Sequence, residues 1–309
     1  MSHNPFRRDP AIEQRIAELT PRCGEAIAAV LRARLAPQDP AGNLGGVLER
    51  NEVAALVERF GLRDVEELML LALPAARDIA RPPISGFFVG AVGLEAETGN
   101  LVLGGNVEFP GTHLGFTVHG EGFVLARAFS RGTTIARLAI GEAHPCAHCR
   151  QFLSEFAATR DMVLIDPLGH RLSMAELYPW PFDPDYLGET GAVPGRKAWS
   201  LAAGDTRLRA AGERAHAPYS KCPAAVVLTL ADGSELSGSA IESVAFNPSM
   251  GPLQAALIEL IAHGRSYDEI AAARLGTVTG GAVDFAASTR ELLARVAPAV
   301  KLEVVAWTA

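Results

Sequence analysis

Residues 117–151 contain His119, Glu121, Cys146 and Cys149, whose types and spacing suit one zinc ion. Imidazole nitrogen and thiolate sulfur are donors that zinc takes, and three protein ligands leave a fourth tetrahedral position for water. Cys146 and Cys149 are three apart, so both sulfurs can point at one metal from the first turn of a helix. Pro145 precedes them, where a helix start tolerates a missing N–H. The positive end of that turn favours thiolate over thiol. His119 lies 27 residues upstream of Cys146, which leaves room for one helix and one strand. Glu121 is placed to face a metal-bound water without being a ligand, taking its proton and passing it on. The expectation is one Zn2+ per chain, held by His119, Cys146 and Cys149, with Glu121 as the catalytic acid–base.

Two plainer readings compete. The cysteines could form a redox pair, but that chemistry has no use for a His-x-Glu upstream. A closed structural zinc site needs a fourth protein ligand, for which His144 and His148 are close enough in sequence.

A chain of 309 residues can bury a sizeable core and hold two domains. Hydrophobic residues make up 49% and charged ones 20%, an ordinary globular balance. The net charge of −7 argues against a nucleic-acid partner, which needs a basic stripe to neutralise phosphates. A small-molecule substrate is expected instead. The first residues lack the apolar core of a signal peptide, and no apolar run reaches membrane-spanning length. The expectation is a cytoplasmic protein without a membrane partner. Cys23 and Cys222 read as isolated small hydrophobes, with a disulfide between them as the alternative.

The elements that must position the four residues follow in order. Apolar spacing predicts helix over 11–36 with an interruption near Pro21, then over 51–60 and 65–76, the last capped by Asp64. Strand signals follow at 87–94 and 101–107 around the turn Thr98-Gly99-Asn100. Helix 117–130, strand 134–140, helix 146–157 and strand 162–165 complete a ββαβαβ order. The fold class expected is α/β: a mixed β-sheet with helices on both faces, preceded by an N-terminal helical segment. Residues 178–200 are rich in proline and glycine and read as a linker without regular structure.

Beyond 205 the pattern repeats. Pro83-Ile-Ser-Gly-Phe-Phe-Val-Gly-Ala is echoed by Pro218-Tyr-Ser-Lys-Cys-Pro-Ala-Ala-Val, and Gly104-Gly-Asn-Val-Glu108 by Gly238-Ser-Ala-Ile-Glu242. The offsets, 135 and 134, are nearly one value and indicate an internal duplication. Where His-Gly-Glu should recur the chain reads GPLQAAL, and no cysteine follows Cys222, so the second copy cannot build the same metal site. The division expected is an N-terminal helical segment (1–77), a catalytic zinc domain (78–177), a linker (178–204) and a degenerate second domain (205–309).

The His-x-Glu…Pro-Cys-x-x-Cys pattern matches the signature of zinc-dependent base deaminases. Together with SGFFVGA (85–91), GGNVEF (104–109), TVHGE (117–121), PCAHCRQF (145–152), APYSKCP (217–223) and AFNPSMGPLQAAL (245–257), it resembles the cytidine deaminase family in its long, two-copy, homodimeric branch. That resemblance implies a duplicated mixed sheet with helices on both faces, and hydrolytic deamination of cytidine and 2′-deoxycytidine in pyrimidine salvage. It implies that Asn106 and Glu108 hold the ribose hydroxyls, with Val107 between them, and that Phe87 packs on the pyrimidine. Gly120 would contact the base, and Phe182 would serve as a lid supplied by the partner of a homodimer. Arg150 and Gln151 would surround the metal ligands. Gly120 and Gly122 stand where the family usually has alanine and a larger residue, which predicts a looser helix start. Other readings are a deaminase of another amino-substituted ring or nucleoside analogue, and a non-catalytic zinc-stabilised assembly protein.

Overall fold

The computed structural model describes residues 7–142 and 144–308. Helix α1 (Pro10–Leu19) starts at Asp9, whose side chain caps the Ala11 N–H. It passes through a wider π turn at Thr20–Gly24 into α2 (Glu25–Ala33). Pro21 lies in that turn and has no N–H to give the helical ladder, so the interruption expected there takes this form. After a two-residue strand, β1 (Val47–Leu48), come α3 (Arg50–Phe60) and α4 (Val65–Arg77), the latter capped by Asp64.

The first sheet adds β2 (Gly90–Glu95), β3 (Leu101–Gly105), β4 (Ile135–Ile140), β5 (Val163–Ile165) and β6 (Arg171–Ser173), in the order β1-β3-β2-β4-β5-β6. Only the β4–β5 pair is parallel. Helix α5 (Gly120–Arg131) lies between β3 and β4 in sequence, α6 (Ala147–Ser154) between β4 and β5, and α7 (Met174–Leu177) follows β6. Helix α4 packs on one face of this sheet and α5 on the other. The close approach of α5 depends on Gly104, where an added Cβ would sit 2.8 Å from the Phe123 ring. The mixed sheet covered on both faces is therefore the architecture expected.

Several boundaries differ from expectation. Strand β2 begins at Gly90 rather than residue 87, because the Phe87 carbonyl and Val89 N–H are taken by the Asn106 side chain. Helix α5 starts at Gly120, with His119 as its extended N-cap, rather than at 117. Helix α6 ends at Ser154, and a 3-10 turn at Ala157–Asp161 follows. The linker holds one short 3-10 turn, Pro184–Leu187, started by Pro184 and the Asp183 cap.

The second half contains α8 (Thr206–Glu213), β7 (Ala224–Leu230), β8 (Glu235–Ser239), α9 (Pro252–Ala262), β9 (Ile270–Val278), α10 (Phe285–Val296) and β10 (Leu302–Trp307). Its sheet order, β8-β7-β9-β10, and its directions repeat β3-β2-β4-β5, with the last pair parallel in both. Single bridges recur too: Arg81–Val107–Val118 in the first half and His216–Ile241–Met250 in the second. The duplication read from the two sequence echoes is thus a duplication of fold. Gly238, the counterpart of Gly104, lets α9 approach β8 in the same way.

Helices α5 and α9 pack against each other and join the two halves. At that junction Arg127, with no exposed surface, pairs with buried Glu259 and donates to Asn43 Oδ1 (3.0 Å) and the Gly45 carbonyl (2.7 Å). Cys23 and Cys222 are buried free thiols. Removing one partner of a buried pair strands the other charge in an apolar interior. Arg127→Leu should therefore cost about 3–5 kcal/mol in denaturant unfolding, and adding Glu259→Leu should recover part of that loss.

Candidate active site

The two helix starts bring together three side chains that could hold a metal ion, His119, Cys146 and Cys149. His119 is the N-cap of α5 and Cys146 the N-cap of α6, where its sulfur accepts the Cys149 N–H at 3.5 Å. Free N–H groups at such ends place positive partial charge next to the sulfurs. His119 Nδ1 lies 3.2 Å from Cys149 Sγ and 3.6 Å from Cys146 Sγ, and the two sulfurs are 3.6 Å apart. A tetrahedral zinc bonded at about 2.3 Å to sulfur and 2.0 Å to nitrogen spaces its donors by roughly 3.5–3.8 Å. The triangle of donors fits that ion.

The fourth donor of a closed site is not supplied by the neighbouring histidines. His144 turns to Asp166 and His148 to the Asn247 carbonyl (3.2 Å). The Cys146 thiol is held down at about 3, first by its hydrogen bond with Cys149 and then by His119. Cys149, 4% exposed, is pushed upward by that same bond and by burial.

Glu121 follows His119 by two residues in the first turn of α5 and is 4% exposed. Burial pushes its carboxyl above the usual carboxylate range, and it hydrogen-bonds to Cys149. Glu121 thus stands beside the donors without belonging to the triangle. Gly120, also buried, faces Ala91, whose Cβ would lie 3.1 Å from a Cβ added there.

A second cluster forms around the loop 81–89. Asn106 is buried; its Oδ1 accepts the Val89 N–H at 2.9 Å and its Nδ2 donates to the Phe87 carbonyl at 2.8 Å. Glu108 accepts from the Ile84 N–H (2.8 Å), the Ser85 N–H (2.9 Å) and the Ser85 hydroxyl (2.5 Å). Burial pushes the Glu108 carboxyl up, but those bonds and the His119 field outweigh it and hold it low. Val107, between them, is buried and exchanges both main-chain bonds with Val118, one residue before His119. Phe87 is 52% exposed at the end of this loop.

Phe182 is tied to α6 through Gln151. Its N–H and carbonyl are both bonded to the Gln151 side chain, at 3.2 and 2.7 Å, and its ring packs on Tyr186. Arg150 spends its guanidinium on the carbonyls of Pro145 (2.9 Å) and Leu177 (3.3 Å), fixing the entry to Cys146. Ser85 was not singled out in the sequence, although a signal for it exists. Ser220 stands at the matching place of the second copy and clasps Glu242 with the same three bonds.

A duplicated mixed sheet with one nitrogen and two sulfurs brought together at two helix starts defines a zinc protein of the α/β class. The family model described as "Cytidine and deoxycytidylate deaminase zinc-binding region" matches residues 62–165, and a second model of the same description matches residues 197–290. A cytidine deaminase of Vibrio atlanticus is 32% identical over 288 residues, covering 91% of this chain and 97% of its own. One from Shewanella sediminis is 33% identical over 293 residues, covering 93% and 95%. The solved cytidine deaminase of Mycobacterium leprae aligns with 37% of this chain and 98% of its own, at 26% identity and a TM-score of 0.34. The chain belongs to the cytidine deaminase family, and its cofactor is zinc.

The glycines of this helix start can be tested directly. A Cβ at Gly122 would meet Val118 and Met250 at 3.6 and 3.7 Å, ordinary contact distances. Gly122→Ala should therefore raise unfolding stability by about 0.5–1 kcal/mol. Gly120→Ala, crowded by Ala91, should gain less in the same thermal or denaturant scan.

Proposed function

We propose that this chain hydrolyses cytidine and 2′-deoxycytidine to uridine and 2′-deoxyuridine with release of ammonia. The observation that carries this reading is Glu121, a buried carboxyl beside the His119–Cys146–Cys149 triangle but outside it. A structural metal would need no such acid. Zinc held by those three residues, one per chain, supplies the electrophile that makes water a nucleophile near neutral pH. Glu121 would take a proton from the attacking water and deliver it to N3 of the ring as C4 is attacked; the same carboxylate would then take the proton of the new C4 hydroxyl and pass it to the amine, so that the C4–N bond breaks, the C4 carbonyl forms and ammonia leaves. Asn106 and Glu108 hold the ribose hydroxyls, Gly120 and Val107 border the base, and Phe87 offers its ring face to the pyrimidine. The names of the long relatives support the same substrate class.

The working arrangement is a homodimer. Phe87, Phe88, Trp180, Phe182 and Tyr186 are exposed apolar side chains, and Trp180 is 83% exposed. Such a set is costly to leave in water and suits a partner surface. Phe182 of one subunit closes the pocket of the other. Residues 78–177 form the catalytic domain and 178–204 the linker, while 1–77 and 205–309 support it. Among the described residues no helix is long and apolar enough to cross a membrane, in keeping with a cytoplasmic enzyme of pyrimidine salvage. A second reading, deamination of an amino-substituted ring without ribose, draws on the Ser85 and main-chain bonds that already occupy Glu108.

Purified protein with about one zinc per chain should convert cytidine to uridine, followed by ammonia release and ultraviolet absorbance. Free cytosine should react more slowly; equal rates would favour the second reading. Glu121→Ala should keep its zinc and lose at least ~10²-fold in kcat, and loss of the metal instead would overturn its assignment. The mass in solution should be twice 32.6 kDa, and an active monomer would remove the shared pocket.

A further inference from the structure

The parallel strands β4 and β5 end side by side, Ala139 opposite Ile165. Their following loops therefore leave the sheet at one edge, the carboxyl end at which open α/β sheets commonly bind ligands. His144 sits in the loop after β4, Asp166 directly follows β5, and His170 directly precedes β6. None of these three belongs to the triangle built on His119.

We propose that His144, Asp166 and His170 form a second divalent-metal site that takes zinc. One donor atom from each lies within 4.8 Å of the other two. Asp166 Oδ2 is 2.7 Å from His170 Nδ1 and 3.4 Å from His144 Nδ1, and the two imidazoles meet edge to face with centroids 5.0 Å apart. The Asp166 carboxylate is preset for this. Its Oδ1 accepts the Leu168 and His170 N–H groups at 2.9 and 3.0 Å, which leaves Oδ2 aimed between the rings. Asp166 is 8% exposed, and His170 is largely covered, while His144 stands at the surface.

Two imidazoles converging on one buried carboxylate oxygen make a donor set richer than a single hydrogen bond needs. Donors at about 2.0–2.1 Å from a tetrahedral ion stand roughly 3.3 Å apart. The His144 distance already matches, and the His170 distance has to open by about half an ångström. Imidazole and carboxylate together select zinc, nickel or copper over magnesium and calcium. A cavity of about 250 Å³ borders His144 and Asp166, with Glu142 and Leu168 among its walls, and leaves room for water to complete the shell. An ion there would staple the loop that leads into Cys146 to the β5–β6 turn. The site stands independently of the substrate reading.

The test is equilibrium dialysis of the full-length, zinc-loaded protein against excess Zn2+, with metal counted by plasma mass spectrometry. The expected result is two zinc ions per wild-type chain and one in both His144→Ala and His170→Ala. Cys149→Ala should lose the other ion and keep this one. His144 has 57% of its side chain exposed, so its variant tests the site even if the His170 variant fails to fold. Added zinc should also raise the thermal midpoint of the wild type more than that of His144→Ala. A single zinc in the wild type, or two that persist in His144→Ala, would overturn the proposal.

Discussion

The structure depends on the burial of helix α5 from its first residue to Phe129. Every residue from Gly120 to Phe129 is buried, with the first sheet on one side and α9 close by. A helix enclosed in this way cannot slide or tilt without opening voids in a close-packed interior. Its first turn is therefore a fixed platform, and His119 and Glu121 inherit that fixity. The helix also carries two charged residues, Arg127 and Glu121, into the core. Arg127, in the middle, is neutralised by Glu259 of α9. Glu121, at the end, has the Cys149 thiol and its own main chain as its hydrogen-bond partners among the described residues. The structural charge is paired within the fold, and the carboxyl proposed for the chemistry is left beside the candidate metal donors.

The duplication separates what the framework requires from what the chemistry requires. Both copies keep the strand order, the bridge before the central helix, and a carboxylate clasped by a serine hydroxyl and two main-chain N–H groups. In the second copy Gly251 stands at the N-cap where the first has His119, and Leu253 follows where the first has Glu121. The clasp persists without the metal donors, so the Ser85–Glu108 bonds belong first to the folding of the loop. Any hold on a sugar hydroxyl is added to that task. The same holds for Asn106, whose amide ties down the loop ending in Phe87, whereas Ala240 at the matching place of the second copy has no side chain to do so.

That His119, Cys146 and Cys149 come together was legible in the sequence because ligand chemistry restricts both residue type and spacing. Cys146 and Cys149 must share a helix turn, and His119 must arrive from another helix start. The sheet and the duplication were legible through period and echo. What escaped was set by contacts between residues distant in the chain. The start of β2 moved from Phe87 to Gly90 because a side chain, Asn106, outcompeted the strand ladder for the main chain. Strands β1 and β6 are two and three residues long, too short for alternation to register. His144 was readable as a spare zinc ligand, yet its true neighbours, Asp166 and His170, come from a turn more than twenty residues away.

The persistence of a second copy without metal donors has a mechanical explanation in Glu155. This carboxylate has no exposed surface and lies just beyond the end of α6, opposite Cys146. It accepts from His216 Nε2, the Tyr219 hydroxyl and the Val244 N–H, each at 2.7 Å, and all three belong to the second half. Helix α6 is thus held at both ends, by the sulfurs and the Arg150–Pro145 bond at its start and by this buried cluster at its finish. Midway, Gln151 binds the main chain at Phe182 and so joins the proline-rich segment to the same helix. A two-turn helix has little stability of its own. Without those anchors the spacing of Cys146 and Cys149 would fluctuate with every fraying of the helix. The second half is the wall to which that helix is fastened, which is reason enough for it to keep its fold without metal donors.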